Sequence, residues 1–222
     1  MIDLLPSVQV ETGKQPDAAV IWLHGLGSDG HDFESLVPAL SLSPALSVRF
    51  VFPHAPKRPV TVNGGMAMRA WYDIYEMTLD RKVDMANIDE SCQQIEQLIQ
   101  AQIDLGIASE RILLAGFSQG GVIAYQLALR TSHKLAGVMA LSTYLVKGED
   151  VPDATACVNG KAPILIHHGS QDPVVAPVLA ENAQELLRKK GYAVTYKTYP
   201  MPHSVCPEQI DDISQWLNTQ LA

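Results

Sequence analysis

The stretch Ala115-Gly116-Phe117-Ser118-Gln119-Gly120-Gly121 decides the fold of this chain. An apolar run at 111–114 precedes it, and a second apolar run at 122–129 follows it. This order predicts a strand, a sharp turn that carries Ser118, and a helix. Such a turn exposes the serine hydroxyl and leaves the Gln119 N–H free to face a developing oxyanion, as a serine nucleophile requires. A plainer interpretation also fits these residues, in which Ser118 only caps the helix.

Strand and helix patterns alternate on both sides of this turn. Apolar runs predict buried strands at 18–23, 48–52, 135–141 and 163–168, and an alternating pattern predicts a strand at 193–199. Helical spacing occurs at 32–40, 88–103, 177–190 and 207–221. Continuous apolar strands that alternate with helices are typical of a mostly parallel central sheet with helices on both faces, an α/β fold. We expect one domain over residues 1–222 with no large cap domain. Irregular stretches at 54–81 and 142–161 are expected to lie over the site.

Composition excludes several classes of function. The 222 residues carry a net charge of −8, which argues against nucleic acid or an anionic membrane as a main partner. The three cysteines have no C-x-x-C spacing, so free thiols in a reducing compartment fit better than disulfides or a zinc ribbon. The first residues lack a signal-peptide pattern, and no apolar run is long enough to insert stably in a bilayer. We therefore expect a cytoplasmic protein.

A serine nucleophile needs a histidine base, and chain order selects among seven histidines. In a sheet of this kind the order is nucleophile, acid and then histidine. His203 lies after Ser118, in the last loop between a strand and a helix, where an imidazole can reach the hydroxyl. The pair His167 and His168 precedes the best-placed acid, so these two residues are interpreted as polar residues at a strand end. The alternative for His203 is an ordinary surface histidine.

The orienting acid must lie between Ser118 and His203. Asp172 directly follows the strongest strand of this region and precedes a proline that stiffens the turn. Asp150 and Asp153 lie in a polar, irregular stretch and are weaker candidates. Asp172 would hold the histidine ring and stabilise the imidazolium. Asp172 also fits a plainer role as a turn residue before proline.

A second oxyanion donor is expected from the glycine-rich loop 24–30, because its glycines allow backbone N–H groups to turn into the site. This loop lacks the spacing of a phosphate-binding or dinucleotide-binding motif. The histidines have no metal-ligand spacing such as H-E-x-x-H. The proposed chemistry needs no metal and no organic cofactor.

Taken together, the motifs resemble the acyl-protein thioesterase and small bacterial carboxylesterase family of α/β-hydrolases. The resemblance spans nearly the whole chain and rests on Trp22–Gly27, Phe52–Pro56, Arg69–Ile74, Gly116–Gly121, His168–Val175 and Tyr199–Ser204. It implies an α/β-hydrolase fold, and it implies Ser118, Asp172 and His203 as the catalytic triad. It also implies the N–H groups of Leu26 and Gln119 as the oxyanion hole, and it places the segment 71–73 beside the active site.

This chain departs from the family at one position, because Pro202 stands where the family usually has glycine before the catalytic histidine. Proline fixes φ near −65° and removes an N–H. The histidine loop is therefore expected to follow a somewhat different path, with the function retained.

The favoured function is a serine carboxylesterase that hydrolyses short- to medium-chain acyl esters through an acyl-enzyme. An acyl-protein thioesterase or a lysophospholipase acting on longer acyl chains is the alternative, and a non-catalytic binding module is the alternative of another class. The partner would be a small acyl ester or thioester. Four apolar residues could line an acyl groove or simply anchor loops to the core: Met66, Met68, Trp71 and Leu145. Some family members are dimers, and the composition does not decide between a monomer and a homodimer.

Overall fold

The computed structural model describes residues 4–222. Its main sheet has seven strands, which in chain order are β1 (Ser7–Glu11), β2 (Ala18–Leu23), β3 (Val48–Pro53), β8 (Ile112–Phe117), β9 (Gly137–Leu141), β10 (Ile164–Gly169) and β11 (Val194–Tyr199). The order across the sheet is β1-β3-β2-β8-β9-β10-β11. Only the edge strand β1 is antiparallel to its neighbour, and the other pairs are parallel. The mostly parallel sheet predicted from the sequence is confirmed.

Helices cover both faces of this sheet. They are α1 (Met85–Asp104), α2 (Gln119–Ala128), α3 (Pro177–Lys189) and α4 (Pro207–Gln220). One apolar core packs α1, α2 and α3 against the sheet, and a second core packs α4 and a 3-10 helix (Glu34–Ala39) against the other face. Over residues 4–222, the α/β-hydrolase architecture without a large cap is therefore confirmed.

Residue chemistry sets the ends of these helices. The Asp84 carboxylate accepts a hydrogen bond from the Asn87 N–H at 3.0 Å and caps the start of α1. Gly106 follows the end of α1 with φ of 96°, a left-handed conformation that glycine adopts without a steric penalty. Proline opens both α3 and α4, where its missing N–H costs no helical hydrogen bond.

Two regions differ from the sequence-based expectation. The helix predicted at 32–40 is only the 3-10 helix Glu34–Ala39, which contains Pro38. The edge strand β1 was not predicted. The stretch 54–81 contains short strands, as expected, which form two small antiparallel sheets with the residues after it. These strands are β4 (Lys57–Val60) with β5 (Met66–Arg69), and β6 (Ile74–Glu76) with β7 (Lys82–Val83).

A helix that crosses a membrane must be long and predominantly apolar. Over residues 4–222, no helix combines the length and the apolar character needed to cross a bilayer.

Candidate active site

Ser118 occupies a sharp turn between β8 and α2. Its φ of 52° and ψ of −118° lie where residues with side chains are rarely found. Its N–H donates to the Leu141 carbonyl at 2.9 Å, and its carbonyl accepts from the Gly121 N–H at 3.0 Å and from Thr143 Oγ1 at 2.6 Å. Contacts from the end of β9 and the residues after it therefore hold a strained backbone that presents the serine.

The two outer glycines of the turn are required by close backbone packing. A Cβ at Gly116 would lie 2.3 Å from the Gly120 carbonyl oxygen. A Cβ at Gly120 would lie 2.6 Å from the Leu23 carbonyl oxygen, in the neighbouring strand β2. Backbone atoms cannot move aside as a flexible side chain can. The spacing G-x-S-x-G thus follows from the approach of strand, turn and helix.

Asp172 and His203 form a partly buried, charge-assisted hydrogen bond. His203 Nδ1 donates to Asp172 Oδ2 at 2.6 Å, and the N–H groups of Val174 and Val175 donate to Oδ1 at 2.8 and 2.9 Å. Burial by itself would raise the pKa of Asp172, but the hydrogen bonds from His203 and the backbone outweigh it, so the pKa lies below its usual value. The carboxylate therefore stays ionised and accepts the Nδ1–H of His203.

The loop that carries His203 is docked against the neighbouring loop and the serine turn. The Gln171 N–H donates to the Met201 carbonyl at 3.2 Å. The imidazole of His203 lies on the ring of Phe117, with 4.7 Å between ring centroids. Phe117 is the residue directly before Ser118, so the structure brings the three predicted residues to the same edge of the sheet.

His168 contacts the same carboxylate from inside the sheet. It is fully buried, and its Nε2 donates to the Val175 carbonyl at 2.8 Å and lies 3.4 Å from Asp172 Oδ2. Burial lowers the pKa of His168. Its position supports the interpretation of His168 as a polar residue at a strand end and not as the base.

The loop after β2 lies directly beside the serine. A Cβ at Gly25 would lie 3.6 Å from Ser118 Cβ, and the next residue, Leu26, carries one of the expected oxyanion donors. Gln119 is the first residue of α2, and its N–H has no partner within the helix. One candidate donor thus belongs to the residue after Ser118, and the other belongs to the residue after the glycine that packs against Ser118.

Known proteins resemble this chain over nearly its whole length. The sequence pattern of the phospholipase/carboxylesterase family matches residues 6–221. The chain belongs to this family. It is 41% identical over 229 residues to acyl-protein thioesterase 1 of Neurospora crassa, covering 98% of this chain and 91% of the relative. It is 38% identical over 216 residues to acyl-protein thioesterase 1 of Gibberella zeae, covering 93% of this chain and 92% of the relative.

Solved structures give the same family assignment. The structure of Zea mays acyl-protein thioesterase 2 is 25% identical in sequence and matches with a TM-score of 0.87, covering 98% of this chain and 99% of that chain. Family membership makes the protein a serine hydrolase of the esterase and thioesterase class.

The family usually has glycine where this chain has Pro202, and the structure shows how proline is accommodated. The Pro202 carbonyl lies only 2.4 Å from the position that a Cβ at Gly169 would occupy. The close approach of the two loops is therefore made possible by the glycine at the end of β10. The Pro202 side chain is exposed, so a residue larger than glycine fits before His203.

The four residues predicted to line an acyl groove lie in different environments. Trp71 is fully buried, and its indole N–H donates to the His24 carbonyl at 2.9 Å. This burial favours the second interpretation given for Trp71, an anchor of its loop to the core, because no part of its ring faces solvent. Met66 on β5 is 65% exposed, and the Met68 sulfur lies 3.8 Å from the position of a Cβ at Gly27, in the expected oxyanion loop.

Leu145 is the one member of this set that lines a large groove. The groove has a volume of about 660 Å³ and runs between the β6–β7 hairpin, the segment 144–149 and α3. Its apolar lining comes from all three of these segments: Leu79, Val83, Tyr144, Leu145, Leu179 and Leu186.

One contact links this groove to the loop that holds the acid. The guanidinium of Arg81 lies 4.7 Å from the centroid of the Tyr144 ring, and it also donates to the Val174 carbonyl. The N–H of Val174 in turn binds Asp172. The hairpin wall of the groove is therefore attached to the acid loop.

The side chain of Gln119 has a role that the sequence did not reveal. Its Oε1 accepts from the Trp71 N–H at 2.7 Å, and its Nε2 donates to the Tyr72 carbonyl at 2.6 Å. This buried amide ties the start of α2 to the irregular stretch 54–81. A glutamine between Ser118 and Gly120 fits any exposed turn equally well, so no sequence signal could have identified this contact.

Proposed function

We propose that this protein is an acyl-protein thioesterase that releases fatty acyl groups from cysteine side chains. The observation that carries the proposal is a groove of about 660 Å³ whose lining is partly apolar and whose hairpin wall is attached to the Asp172 loop through Arg81. Ser118, Asp172 and His203 do not line this groove, which would hold the far part of the acyl chain, and its volume lies within the range of about 300–1,000 Å³ typical of ligand sites. The curated relatives named acyl-protein thioesterase support the same substrate class. This proposal replaces the short-chain carboxylesterase favoured from the sequence, which assumed a shallow site.

The proposed reaction is acyl transfer in two steps. Ser118 Oγ attacks the thioester carbonyl carbon while His203 Nε2 takes its proton, and Asp172 stabilises the imidazolium that forms. The N–H groups of Leu26 and Gln119 bind the oxyanion, and one such donor is worth about 3–4 kcal/mol in a related hydrolase. The carbon–sulfur bond then breaks, and His203 returns its proton to the leaving thiolate.

Water completes the cycle. His203 removes a proton from a water molecule, which attacks the acyl-serine ester carbonyl. As the second oxyanion collapses, the bond from the acyl carbon to Ser118 Oγ breaks and His203 returns the proton to that oxygen. The products are a free fatty acid and a protein thiol. The groove would hold the acyl chain through both steps.

A first experiment tests the nucleophile. Ser118→Ala should lower kcat for p-nitrophenyl esters by at least about 10⁴-fold with an unchanged circular dichroism spectrum. A fluorophosphonate probe should label the wild-type protein and not this variant. Activity of the variant within tenfold of wild type would exclude Ser118, and an unlabelled wild-type protein would favour a binding module.

A second experiment tests the acyl chain. Ester and thioester substrates from two to sixteen carbons, with a palmitoylated peptide and a lysophospholipid, would be compared in wild type and Leu179→Trp, which fills the groove. We expect the variant to lose activity on long chains and to keep it on acetate. Leu105→Trp is the matched control, because Leu105 is 65% exposed and lies outside the groove lining. A wild-type optimum at two to four carbons would restore the carboxylesterase interpretation.

A further inference from the structure

His24 makes two hydrogen bonds next to the proposed oxyanion hole. Its Nδ1 lies 2.7 Å from the Gly25 carbonyl oxygen, and its Nε2 lies 3.1 Å from the Ala55 backbone nitrogen. The Gly25 carbonyl and the Leu26 N–H belong to one peptide unit, and no cis peptide bond occurs in the described part of the chain. The N–H therefore points away from the carbonyl oxygen across a rigid plane.

We propose that His24 is a positioning residue that holds the Gly25–Leu26 peptide so that its N–H faces the oxyanion formed at Ser118. This inference rests on the proposed function, in which the Leu26 N–H is an oxyanion donor. His24 does not contact the substrate in this proposal. It acts through the peptide plane, because a bond to the carbonyl oxygen fixes the direction of the N–H on the opposite side.

The two contacts also determine the protonation state of the ring. A carbonyl oxygen can only accept, so Nδ1 carries a proton, and the Ala55 N–H can only donate, so Nε2 carries a lone pair. Only the neutral Nδ1–H tautomer satisfies both partners. Burial lowers the pKa of His24, and the more distant carboxylates of Asp29 and Asp32 raise it less. The neutral ring therefore persists in the pH range where a serine hydrolase works.

The surroundings keep the imidazole from turning away. His24 is only 1% exposed, and the ring of Trp71 lies 5.2 Å away between centroids. The indole N–H of Trp71 donates to the His24 carbonyl. A buried imidazole with both nitrogens paired costs little, whereas loss of either partner would leave a polar atom unsatisfied.

Other contacts position the loop but do not replace this one. The Ser28 N–H also donates to the Gly25 carbonyl, at the longer distance of 3.3 Å, and the Gly27 N–H donates to the Arg69 carbonyl at 2.9 Å. The first closes a turn, and the second anchors the loop beyond Leu26. The Gly25 carbonyl therefore accepts two hydrogen bonds, and the one from the His24 side chain, at 2.7 Å, is shorter than the one from the Ser28 N–H.

Two substitutions separate the contacts of the ring. His24→Asn places an amide N–H near the position of Nδ1 and keeps the donor to Gly25. His24→Gln reaches the position of Nε2 and keeps the acceptor for Ala55. Each variant loses one buried hydrogen bond, so both should unfold at similarly lowered temperatures.

The kinetic expectation differs between the two variants. Loss of a whole oxyanion donor costs about 10²–10³-fold in kcat, so a misdirected donor in His24→Gln should lower kcat about 10- to 100-fold with KM nearly unchanged. His24→Asn should keep kcat within about threefold of wild type. Equal losses of kcat in the two variants, or an unimpaired His24→Gln, would overturn the proposal.

A measurement on the wild-type protein covers the case in which neither variant folds. Nitrogen NMR of the histidine side chains should show His24 protonated at Nδ1 and not at Nε2, and the opposite tautomer would overturn the proposal. Ser118→Ala separates this inference from the proposed function. If Ser118→Ala is inactive and His24→Gln is not impaired, only the role of His24 is wrong, whereas an active Ser118→Ala would overturn the proposed function itself.

Discussion

Replacing Asp172 with asparagine tests the proposed acid, because the backbone dictates which way round the new amide must lie. The N–H groups of Val174 and Val175 donate to Oδ1 at 2.8 and 2.9 Å, so the amide oxygen takes that position. The amide NH₂ then faces His203 Nδ1, which lies 2.6 Å from Oδ2 in the wild-type protein. Nδ1 must accept a hydrogen bond, the ring proton moves to Nε2, and the imidazole cannot take the proton of Ser118.

The size of the effect follows from this wrong tautomer. The equivalent substitution in the serine-protease triad lowers kcat by about 10⁴-fold, and we expect a loss of the same order here. This corresponds to about 5.5 kcal/mol of transition-state stabilisation. Stability should change much less, by about 1–2 kcal/mol, because charge-assisted hydrogen bonds become neutral ones while the burial penalty of the carboxylate disappears.

The assay is steady-state hydrolysis of a p-nitrophenyl ester, with thermal unfolding measured on the same samples. Asp153→Asn is the matched control, since this aspartate forms an exposed ion pair with Lys190 at 3.1 Å and should keep kcat within twofold. An Asp172→Asn variant that folds and retains kcat within tenfold of wild type would refute the assignment of the acid.

Two further predictions concern stability. Gly116→Ala should lower the unfolding temperature markedly or prevent folding, because the new Cβ would lie 2.3 Å from the Gly120 carbonyl oxygen. Gly148→Ala is the control. Its new Cβ meets only the flexible end of the Leu186 side chain, so this variant should keep its unfolding temperature. Burial lowers the pKa of His167 to about 4, so the unfolded chain, with a histidine pKa of about 6.5, binds more protons between these values. The free energy of unfolding should therefore fall by up to about 3 kcal/mol as the pH drops from about 6.5 to 4. Urea titrations at several pH values should show that the stability of His167→Gln depends less on pH than that of the wild-type protein. An equal pH dependence in the two proteins would contradict this explanation.

Much of the fold could be predicted because its strands lie inside the molecule. A strand covered by helices on both faces, such as Ala18–Leu23, must be apolar at every position, and this produces an unambiguous run. The edge strand Ser7–Glu11 alternates between half-buried and exposed residues, so its sequence does not stand out. The length of the helix at Glu34–Ala39 was overestimated, because apolar spacing alone does not reveal how Pro38 limits that length.

The candidate triad could be proposed from chain order because parallel strands end at one edge of the sheet. Ser118, Asp172 and His203 each follow a different strand of the main sheet, so a linear order of strands and loops already predicts their convergence. The expected oxyanion loop follows β2 for the same reason. The hydrogen bonds that Asp172 accepts from the N–H groups of Val174 and Val175 depend on the local geometry of the loop, and the residue types alone do not predict that geometry.

The proposed acyl groove could not be predicted from the sequence, for a physical reason that Trp71 illustrates. An apolar residue in an irregular stretch can face a substrate or the core, and composition favours neither direction. Trp71 faces inward because the Gln119 amide binds its backbone and the His24 carbonyl accepts its indole N–H, two contacts made with residues 47 or more positions away in the chain. Leu145 lines the groove because the β6–β7 hairpin stands opposite it. On this proposal, substrate preference depends on how the loops pack against each other, and the positions of the proposed catalytic residues depend on where the strands end.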